Sequence, residues 1–169
     1  MEQVLELFGN NRTPTLDGIS RLTILSMVIN ESLRLYPPVF HITREVQREV
    51  KLGKLILPKE IEVYIPNLAV HHDPETWGED AHLFKPERFA DGIAKASTAY
   101  SNSSAAFLPF GLGPRTCVGI NFGITEEKIA LSMILQRHRF RLSDKYVHSP
   151  AHVLTICPKH GLQIILEEL

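Results

Sequence analysis

The chain has 169 residues, of which 44% are hydrophobic and 22% are charged, with a formal net charge of −1 at pH 7. This length allows one domain with a hydrophobic core, and the balanced charge argues against a nucleic-acid-binding surface, which normally carries a basic excess. Two cysteines are too few for a disulfide framework, which favours a reducing compartment. The sequence shows neither a long apolar run nor a basic amino-terminal segment, so no membrane span or signal peptide is predicted.

The first predicted elements are helices. Residues 1–14 are predicted to form the end of a helix followed by a turn. A second helix is predicted from Asp17, a residue type that caps helix N-termini, to Tyr36, where two prolines end it. Apolar residues at helical spacing cover most of its surface, so we expect this helix to be buried on most sides.

Short strands follow. The segment HITREV, residues 41–46, is the first predicted strand. The segment KLILPKEIEVYIP, residues 54–66, is predicted as a hairpin that turns at Pro58 and Lys59. Its second half alternates between branched apolar side chains and charged or aromatic ones, which is the period of a half-buried strand.

The rest of the chain is predicted as a helical turn at residues 67–73, a loop from Pro74 to Pro109, a helix from Val118 to Arg137, and a final hairpin turning at Lys159–Gly161. A structureless stretch as long as this loop is usually functional or a lid. With no internal repeat and no domain boundary, the sequence predicts one unit that mixes helices and sheet.

The glycine-rich segment AAFLPFGLGPRTCVGINFG contains the most prominent candidate site residue, Cys117. Free backbone N–H groups and the dipole of the following helix favour a thiolate at this position. Arg115 adds a cation that could hold a carboxylate through two hydrogen bonds. Nearby glycines would let the backbone bend and a flat group approach. These glycines are Gly111, Gly113 and Gly119.

The cysteine segment also has other interpretations. A lone cysteine is often a small buried side chain in a packed turn. A dinucleotide site would need a glycine where Thr116 stands, and a zinc site would need paired ligands that Cys117 and Cys157 do not offer. A nucleophilic cysteine would need a nearby base. The candidate bases are His41, His72 and His148.

A charged pair on the second helix is the next candidate feature. Glu31 and Arg34 are three residues apart and surrounded by apolar residues, so we expect them to be buried. A surface pair of this spacing would contribute only about 0.2–0.5 kcal/mol. Because a buried pair needs further hydrogen bonds, Arg88 is the candidate third member, and the alternative is that it is a solvated loop arginine.

Three motifs now stand in a fixed order: Glu31-x-x-Arg34, then Pro86-Glu87-Arg88-Phe89, then Phe110-x-x-Gly113-x-Arg115-x-Cys117-x-Gly119. In this order they resemble the cytochrome P450 superfamily of haem-thiolate monooxygenases. The residues around them are similar to those of plant microsomal members that hydroxylate terpenoids and hormones. The resemblance covers essentially the whole chain.

The resemblance implies a fold class and a domain assignment. The class is α+β, mainly α, as in the C-terminal part of the cytochrome P450 fold. Its parts would be the Glu-x-x-Arg helix, short β-hairpins, a meander loop, the cysteine haem loop, a long helix and a terminal β-hairpin. Residues 1–169 would be the haem-ligating portion of a longer domain.

The resemblance also implies roles for single residues. Cys117 would be the axial thiolate ligand of the iron of haem b, Phe110 would pack beside the sulfur, and Gly111, Gly113 and Gly119 would shape the loop. Arg115 and Arg44 would bind the haem propionates. Glu31, Arg34 and Arg88 would form a buried triad that holds the cysteine loop against the core. Substrate contacts would come from Val39, Phe40, His41, Val153 and Leu154.

One departure from the family pattern is large. The central helix with its oxygen-activating motif, the N-terminal membrane anchor and the helices that cover the other haem face are missing from this sequence. We therefore expect the C-terminal part of an enzyme that inserts one oxygen atom from O2 into an apolar small molecule. By resemblance, its electrons would come from NADPH through NADPH-cytochrome reductase, on the cytosolic face of the endoplasmic reticulum membrane. The alternative is a truncated product that keeps the motifs without turnover.

Overall fold

The computed structural model describes residues 1–97 and 105–169. Six α-helices lie in these ranges: α1 (Glu2–Phe8), α2 (Leu16–Ser20), α3 (Thr23–Leu35), α4 (Asn67–His72), α5 (Pro74–Trp77) and α6 (Ile120–Leu135). Three 3-10 helices cover Pro86–Phe89, Ile93–Lys95 and Gly113–Arg115. No helix in the described ranges has the length and apolar character needed to cross a bilayer.

The strands form small antiparallel pairs. They are β1 (Ile42–Glu45), β2 (Val50–Leu52), β3 (Leu55–Leu57), β4 (Glu62–Ile65), β5 (His138–Leu142), β6 (Pro150–His152), β7 (Ile156–Pro158) and β8 (Ile164–Glu168). The four ladders are β1–β4, β2–β3, β5–β8 and β6–β7. This combination of helices with small sheets confirms the predicted mixed class.

The predicted long helix is broken in two. The first part is capped by Thr15, whose hydroxyl accepts from the Gly18 N–H, and not by Asp17. After the break, the side chain of Gln3 accepts from the N–H of Ile24 at 3.2 Å and donates to the hydroxyl of Thr23 at 3.0 Å. Gln3 of α1 thus binds one of the free backbone N–H groups at the start of α3, a contact that local sequence could not reveal.

The predicted burial of the long helix holds for only part of it. Ile29, Glu31, Arg34 and Leu35 are buried in α3, whereas Ile24 is 58% exposed. The helix ends at Leu35, one residue before the predicted end at Tyr36, and the two prolines follow.

The predicted hairpin with a turn at Pro58 and Lys59 is wrong. The turn lies earlier, at Gly53, where a φ of +61° allows a tight connection between β2 and β3. The second strand of the predicted hairpin is β4, which pairs with β1, so that Arg44 lies opposite Val63. Pro58 and Lys59 belong to the connection between the two ladders.

The predicted terminal hairpin is also wrong in its pairing. Gly161 does form a turn, with a φ of +73° and a hydrogen bond from its N–H to Pro158 O. However, β7 before the turn pairs with β6, and β8 after it pairs with β5. Because both partners lie earlier in the chain, the local turn signal did not identify the pairing.

Other predictions need smaller changes. The helical turn at residues 67–73 is confirmed as α4, and α6 begins two residues later and ends two residues earlier than predicted. The predicted loop from Pro74 to Pro109 contains α5 and two 3-10 helices, and residues 98–104 of it lie outside the described residues.

Two apolar clusters form the described core. One packs α5 and the segment after it against α3, with Trp77, Phe89 and Phe107 at its centre. The other packs α1 and α2 against α6, with Phe8, Ile19 and Leu22 buried. The site described next lies beside the first cluster, between β1 and the cysteine segment.

Candidate functional site

The cysteine segment is a compact double turn. The Cys117 N–H donates to Phe110 O at 2.9 Å, and the Gly111 N–H donates to Leu108 O at 3.1 Å. Gly111 and Gly113 have φ values of +74° and +79°, which residues that carry a side chain rarely adopt. The backbone therefore folds back on itself and presents the cysteine at its end, two residues before Gly119, the N-cap of α6.

The glycines of this segment differ in what surrounds them. A Cβ at Gly111 would lie 3.5 Å from Ile42 Cδ1 and 4.0 Å from Arg44 Nη2, so the turn lies directly against β1. At Gly113 a Cβ would meet open space, and only the positive φ favours glycine there. Gly119 has a φ of −92°, which other residues adopt as well, and a Cβ there would lie 3.9 Å from Cys117 Sγ.

A cavity of about 290 Å³ lies between this turn and β1. The cavity is lined by the thiol of Cys117 and by the guanidinium groups of Arg44 and Arg115. Among the described residues, no carboxylate lies within ion-pair distance of either arginine. Its other lining residues are Val39, His41, Ile42, Pro109, Phe110 and Gly111. Two guanidinium groups without ion-pair partners can bind a ligand that carries two carboxylates, and the thiol lies in the same cavity.

The residues expected to contact substrate lie in three different surroundings. Val39 and His41 line the cavity. Phe40 packs instead against the rings of His41 and His152, with centroids 4.4 and 4.3 Å apart. Val153 and Leu154 lie exposed at the turn between β6 and β7.

The charged pair on α3 is fully buried. Arg34 Nε donates to Glu31 Oε2 at 2.7 Å, and Arg34 Nη2 donates to Glu31 Oε1 at 2.9 Å. The same guanidinium donates to the carbonyl oxygens of His71 and Leu83 and lies 5.2 Å from the ring centroid of Trp77. Four of the five N–H donors of the buried cation therefore have acceptors, as a buried ion pair needs.

Arg88 completes a charged cluster around Glu31. Its Nε lies 3.6 Å from Glu31 Oε1, and the Lys85 N–H donates to the same oxygen at 2.8 Å. Arg88 also donates to Trp77 O at 2.8 Å and to the backbone and carboxylate of Asp80. Hydrogen bonds from Lys85 and then from Arg88 lower the pKa of Asp80 to about 2. The cluster therefore ties the segment after α5 to α3.

Helix α4 connects this charged cluster to the cysteine segment. The His71 carbonyl accepts from Arg34, and His71 Nε2 accepts from the Leu108 N–H at 2.8 Å. Asn67, one turn earlier, donates to Leu108 O at 3.1 Å and to Val39 O at 3.4 Å. Because Nε2 is an acceptor, the ring is neutral with its proton on Nδ1. Burial lowers the pKa of His71 to about 4, which keeps it neutral.

Asn67 and His71 were not among the predicted site residues. Both side chains are fully buried, and they lie four residues apart on one short helix. Two polar residues at that spacing among apolar neighbours were the available signal, because such residues share a helix face and need partners when buried.

The three candidate bases for a nucleophilic cysteine lie in different places. His72 Nε2 lies 2.9 Å from Leu35 O, and the ring of His148 lies between two tyrosine hydroxyls. Only His41 of the three lines the cavity with Cys117, and no hydrogen bond joins the two in the described residues. The activated thiol–base pair of a cysteine nucleophile is thus not formed.

Comparison with known proteins identifies the family. The model of the cytochrome P450 family matches residues 1–164. A cytochrome P450, CYP749A22, from Panax ginseng is 55% identical over 99% of this chain and 31% of its own length. The 11-oxo-beta-amyrin 30-oxidase of Glycyrrhiza uralensis and the 7-deoxyloganic acid hydroxylase of Catharanthus roseus are 49% and 46% identical, again over 99% of this chain and 31% of theirs.

The chain thus spans about a third of the length of these curated relatives. A family match over nearly the whole chain, together with these identities, confirms the family that the three motifs predicted. This chain belongs to the cytochrome P450 family.

Proposed function

We propose that this chain forms the thiolate side of the haem site in a monooxygenase that inserts one oxygen atom from O2 into an apolar small molecule. The observation that carries the proposal is the cavity that joins Cys117 to Arg44 and Arg115. Membership of the cytochrome P450 family supports the reaction class.

The residues of the cavity fit haem b. Its two propionates match the two unpaired guanidinium groups of Arg44 and Arg115 in charge and number. The absence of a side chain at Gly111 keeps clear the space beside Ile42 and Arg44. Cys117 is exposed in the chain as described, so its sulfur is free to bind a metal. Haem b, when bound, would supply the iron that activates O2.

The chain's own residues hold and tune that site. Cys117 would hold the iron through its thiolate sulfur and supply electron density to it. Phe110, whose carbonyl fixes the Cys117 N–H, would cover the sulfur and limit its contact with water. Glu31, Arg34 and Arg88 would keep the turn in place through His71 and Asn67 of α4, because those two side chains bind the backbone of Leu108.

The substrate is proposed to be a terpenoid. Two relatives carry names that describe oxidation of an amyrin and hydroxylation of deoxyloganic acid. In this chain Val39 and His41 would contact the substrate from the cavity wall, while Phe40 would support them. Val153 and Leu154, which stand exposed at a hairpin turn, offer apolar surface for the same purpose.

Electron supply and location are proposed from the family resemblance. Plant microsomal members take electrons from NADPH through NADPH-cytochrome reductase, and the full-length protein would do so on the cytosolic face of the endoplasmic reticulum membrane. Both would be tested by adding the reductase to membranes that contain the protein and measuring NADPH-dependent product formation.

The direct test of the haem-thiolate role uses a chimera. This chain would replace the matching 168-residue segment of the ginseng relative, which provides the other two thirds of an enzyme. We expect the red-shifted Soret band that thiolate-ligated haem gives in its reduced carbon monoxide complex. The Cys117→Ala variant should lose this band, whereas the matched Cys157→Ala variant should keep it. A band that survives Cys117→Ala would refute the proposal.

The propionate role has its own test in the same chimera. Arg44→Met should weaken haem retention by about tenfold or more, because a charge-assisted hydrogen bond contributes roughly 1.5–3 kcal/mol. Arg48, an exposed residue of the segment after β1, gives the control variant Arg48→Met, for which no loss is expected. Equal haem retention in both variants would count against the proposed contact.

A further inference from the structure

The β6–β7 hairpin is fastened to one short segment of the chain, residues 36–40, which follows α3. The Ile156 N–H donates to Pro38 O at 3.1 Å, and the rings of His152 and Phe40 lie edge to face with centroids 4.3 Å apart. The third attachment is made by Tyr36, whose hydroxyl lies 2.9 Å from Nε2 of His148. All three attachments therefore lead to the same five residues.

Both ring nitrogens of His148 have hydrogen-bond partners. The hydroxyl of Tyr146 lies 3.0 Å from Nδ1, opposite the bond to Tyr36. The rings of Tyr36 and His148 also meet edge-on, with centroids 5.4 Å apart and planes at 70°. A neutral imidazole offers one donor and one acceptor, and a tyrosine hydroxyl can take either part, so both bonds form together. We call these three side chains the Tyr–His–Tyr bridge.

The hairpin depends on such attachments because it is small. The ladder between β6 and β7 has three residue pairs, and an isolated two-stranded hairpin is marginally stable in water. Beyond the ladder, Val153 and Leu154 at the turn are 80% and 88% exposed. The bridge holds the other end, since His148 lies two residues before Pro150, where β6 begins.

The same segment forms part of the cavity wall. Val39 and His41 line the cavity next to Cys117, and Phe40 between them carries the ring contact with the hairpin. The hairpin and the cavity wall are thus joined, and a shift of the hairpin base moves its apolar turn relative to Val39.

We propose that His148, held by Tyr36 and Tyr146, is a positioning residue that fixes the apolar turn of the β6–β7 hairpin relative to the cavity and so sets substrate affinity and the site of oxidation. The substrate part of this inference rests on the proposed function. The bridge itself rests on the contacts of the chain alone.

Hydrogen exchange of the 169-residue chain tests the bridge without haem or turnover. His148→Phe keeps an aromatic ring against Tyr36 but removes both hydrogen bonds, and it should speed exchange of the β6–β7 amides by about threefold or more. His148→Gln, which retains a donor and an acceptor, should restore most of the protection. Amides of the β5–β8 ladder should not change. The control is His160→Phe, because His160 is exposed and accepts a hydrogen bond from Gln163 through its backbone oxygen, which the substitution keeps. Unchanged β6–β7 exchange in His148→Phe, or a general rise that includes β5–β8, would overturn the bridge.

The role toward substrate is tested in the chimera with the ginseng relative. His148→Phe should raise KM by about two- to tenfold and change the ratio of oxidised products, with kcat changed less than twofold. His148→Gln should lie near the unchanged enzyme, and the carbon monoxide spectrum should be identical in all variants. Equal KM and product ratio in His148→Phe would overturn the positioning role. If the unchanged chimera lacks the red-shifted Soret band of the reduced carbon monoxide complex, the proposed function fails, while the exchange result still decides the bridge.

Discussion

Arg34 and Glu31 form two parallel hydrogen bonds, of 2.7 and 2.9 Å, with neither side chain exposed to solvent. The pair connects several segments of the described structure. Both groups come from α3, and the carbonyls that accept from the guanidinium come from α4 and from the segment after α5. Arg88 forms an ion pair with the same carboxylate. The geometry of the pair therefore fixes three segments at once.

The first prediction concerns Glu31→Ala. Removing the carboxylate leaves Arg34 buried without its anion, a change that typically costs about 3–5 kcal/mol. We expect this loss in the free energy of unfolding, measured by urea denaturation and followed by circular dichroism. Glu167→Ala is the control, because Glu167 pairs with Arg141 while about half exposed, and it should cost less than about 1 kcal/mol. Equal effects of the two substitutions would show that the α3 pair is solvated.

The second prediction is a dependence of stability on pH through His71. Its pKa is about 4 in the folded chain and near 6.5 when unfolded, because burial disfavours the charged ring. Between these values the unfolded state binds a proton that the folded state does not, so stability falls as pH decreases from about 6.5 to 4 and is fully present above pH 6.5. The difference amounts to roughly 3 kcal/mol.

The measurement for His71 is a series of urea denaturations between pH 4 and 7. His71→Asn should be less stable at pH 7, since the bond to the Leu108 N–H is disturbed, but its stability should fall less steeply with decreasing pH. His82→Asn, a change at an exposed position, should keep the original slope. An unchanged slope in His71→Asn would mean that other groups cause the acid sensitivity.

What could be predicted from the sequence follows the range of the interactions. Glu31 and Arg34 were predicted as a pair because residues three apart on a helix are neighbours. The break before α3 could not be predicted, because the side chain that stabilises it, Gln3, comes from another helix. The bond between His71 and Leu108 likewise spans 37 residues.

The strand pairings follow the same division. The turn at Gly161 was predicted locally and is present, yet β7 and β8 pair with strands that the turn does not specify. For the site, residue spacing alone suggested that Cys117 and Arg115 lie together. Arg44 was placed beside them only through the family resemblance, since it reaches the cavity from β1.

The third prediction compares two glycines. A Cβ at Gly18 would lie 2.2 Å from Phe8 Cε1, and that ring is buried in the core between α1 and α2. Gly18→Ala should therefore destabilise the fold by about 1–3 kcal/mol. Gly123 is inside α6 with nothing within 4 Å of an added Cβ, so Gly123→Ala should stabilise it by up to about 1 kcal/mol. Thermal unfolding of both variants measures the difference, and a loss in Gly123→Ala as large as that in Gly18→Ala would contradict the packing seen at Phe8.

The last prediction is that these 169 residues alone will bind haem weakly and will not hydroxylate a substrate. The three motifs would serve the thiolate side of the haem or its propionates, and the chain covers 31% of the length of its ginseng relative. Burial of apolar surface contributes about 25 cal/mol per Å², so a porphyrin left open on one face forfeits much of its binding free energy. Large apolar side chains such as Phe122, 73% exposed, and a cavity of about 470 Å³ between α1, α3 and α6 would also favour aggregation. We expect haem to separate from the chain on gel filtration. With added reductase and a panel of terpenoids, the chain should form no NADPH-dependent product. The chimera with the ginseng relative should retain haem. Stoichiometric haem and measurable hydroxylation by the isolated chain would show that the thiolate side suffices for the reaction.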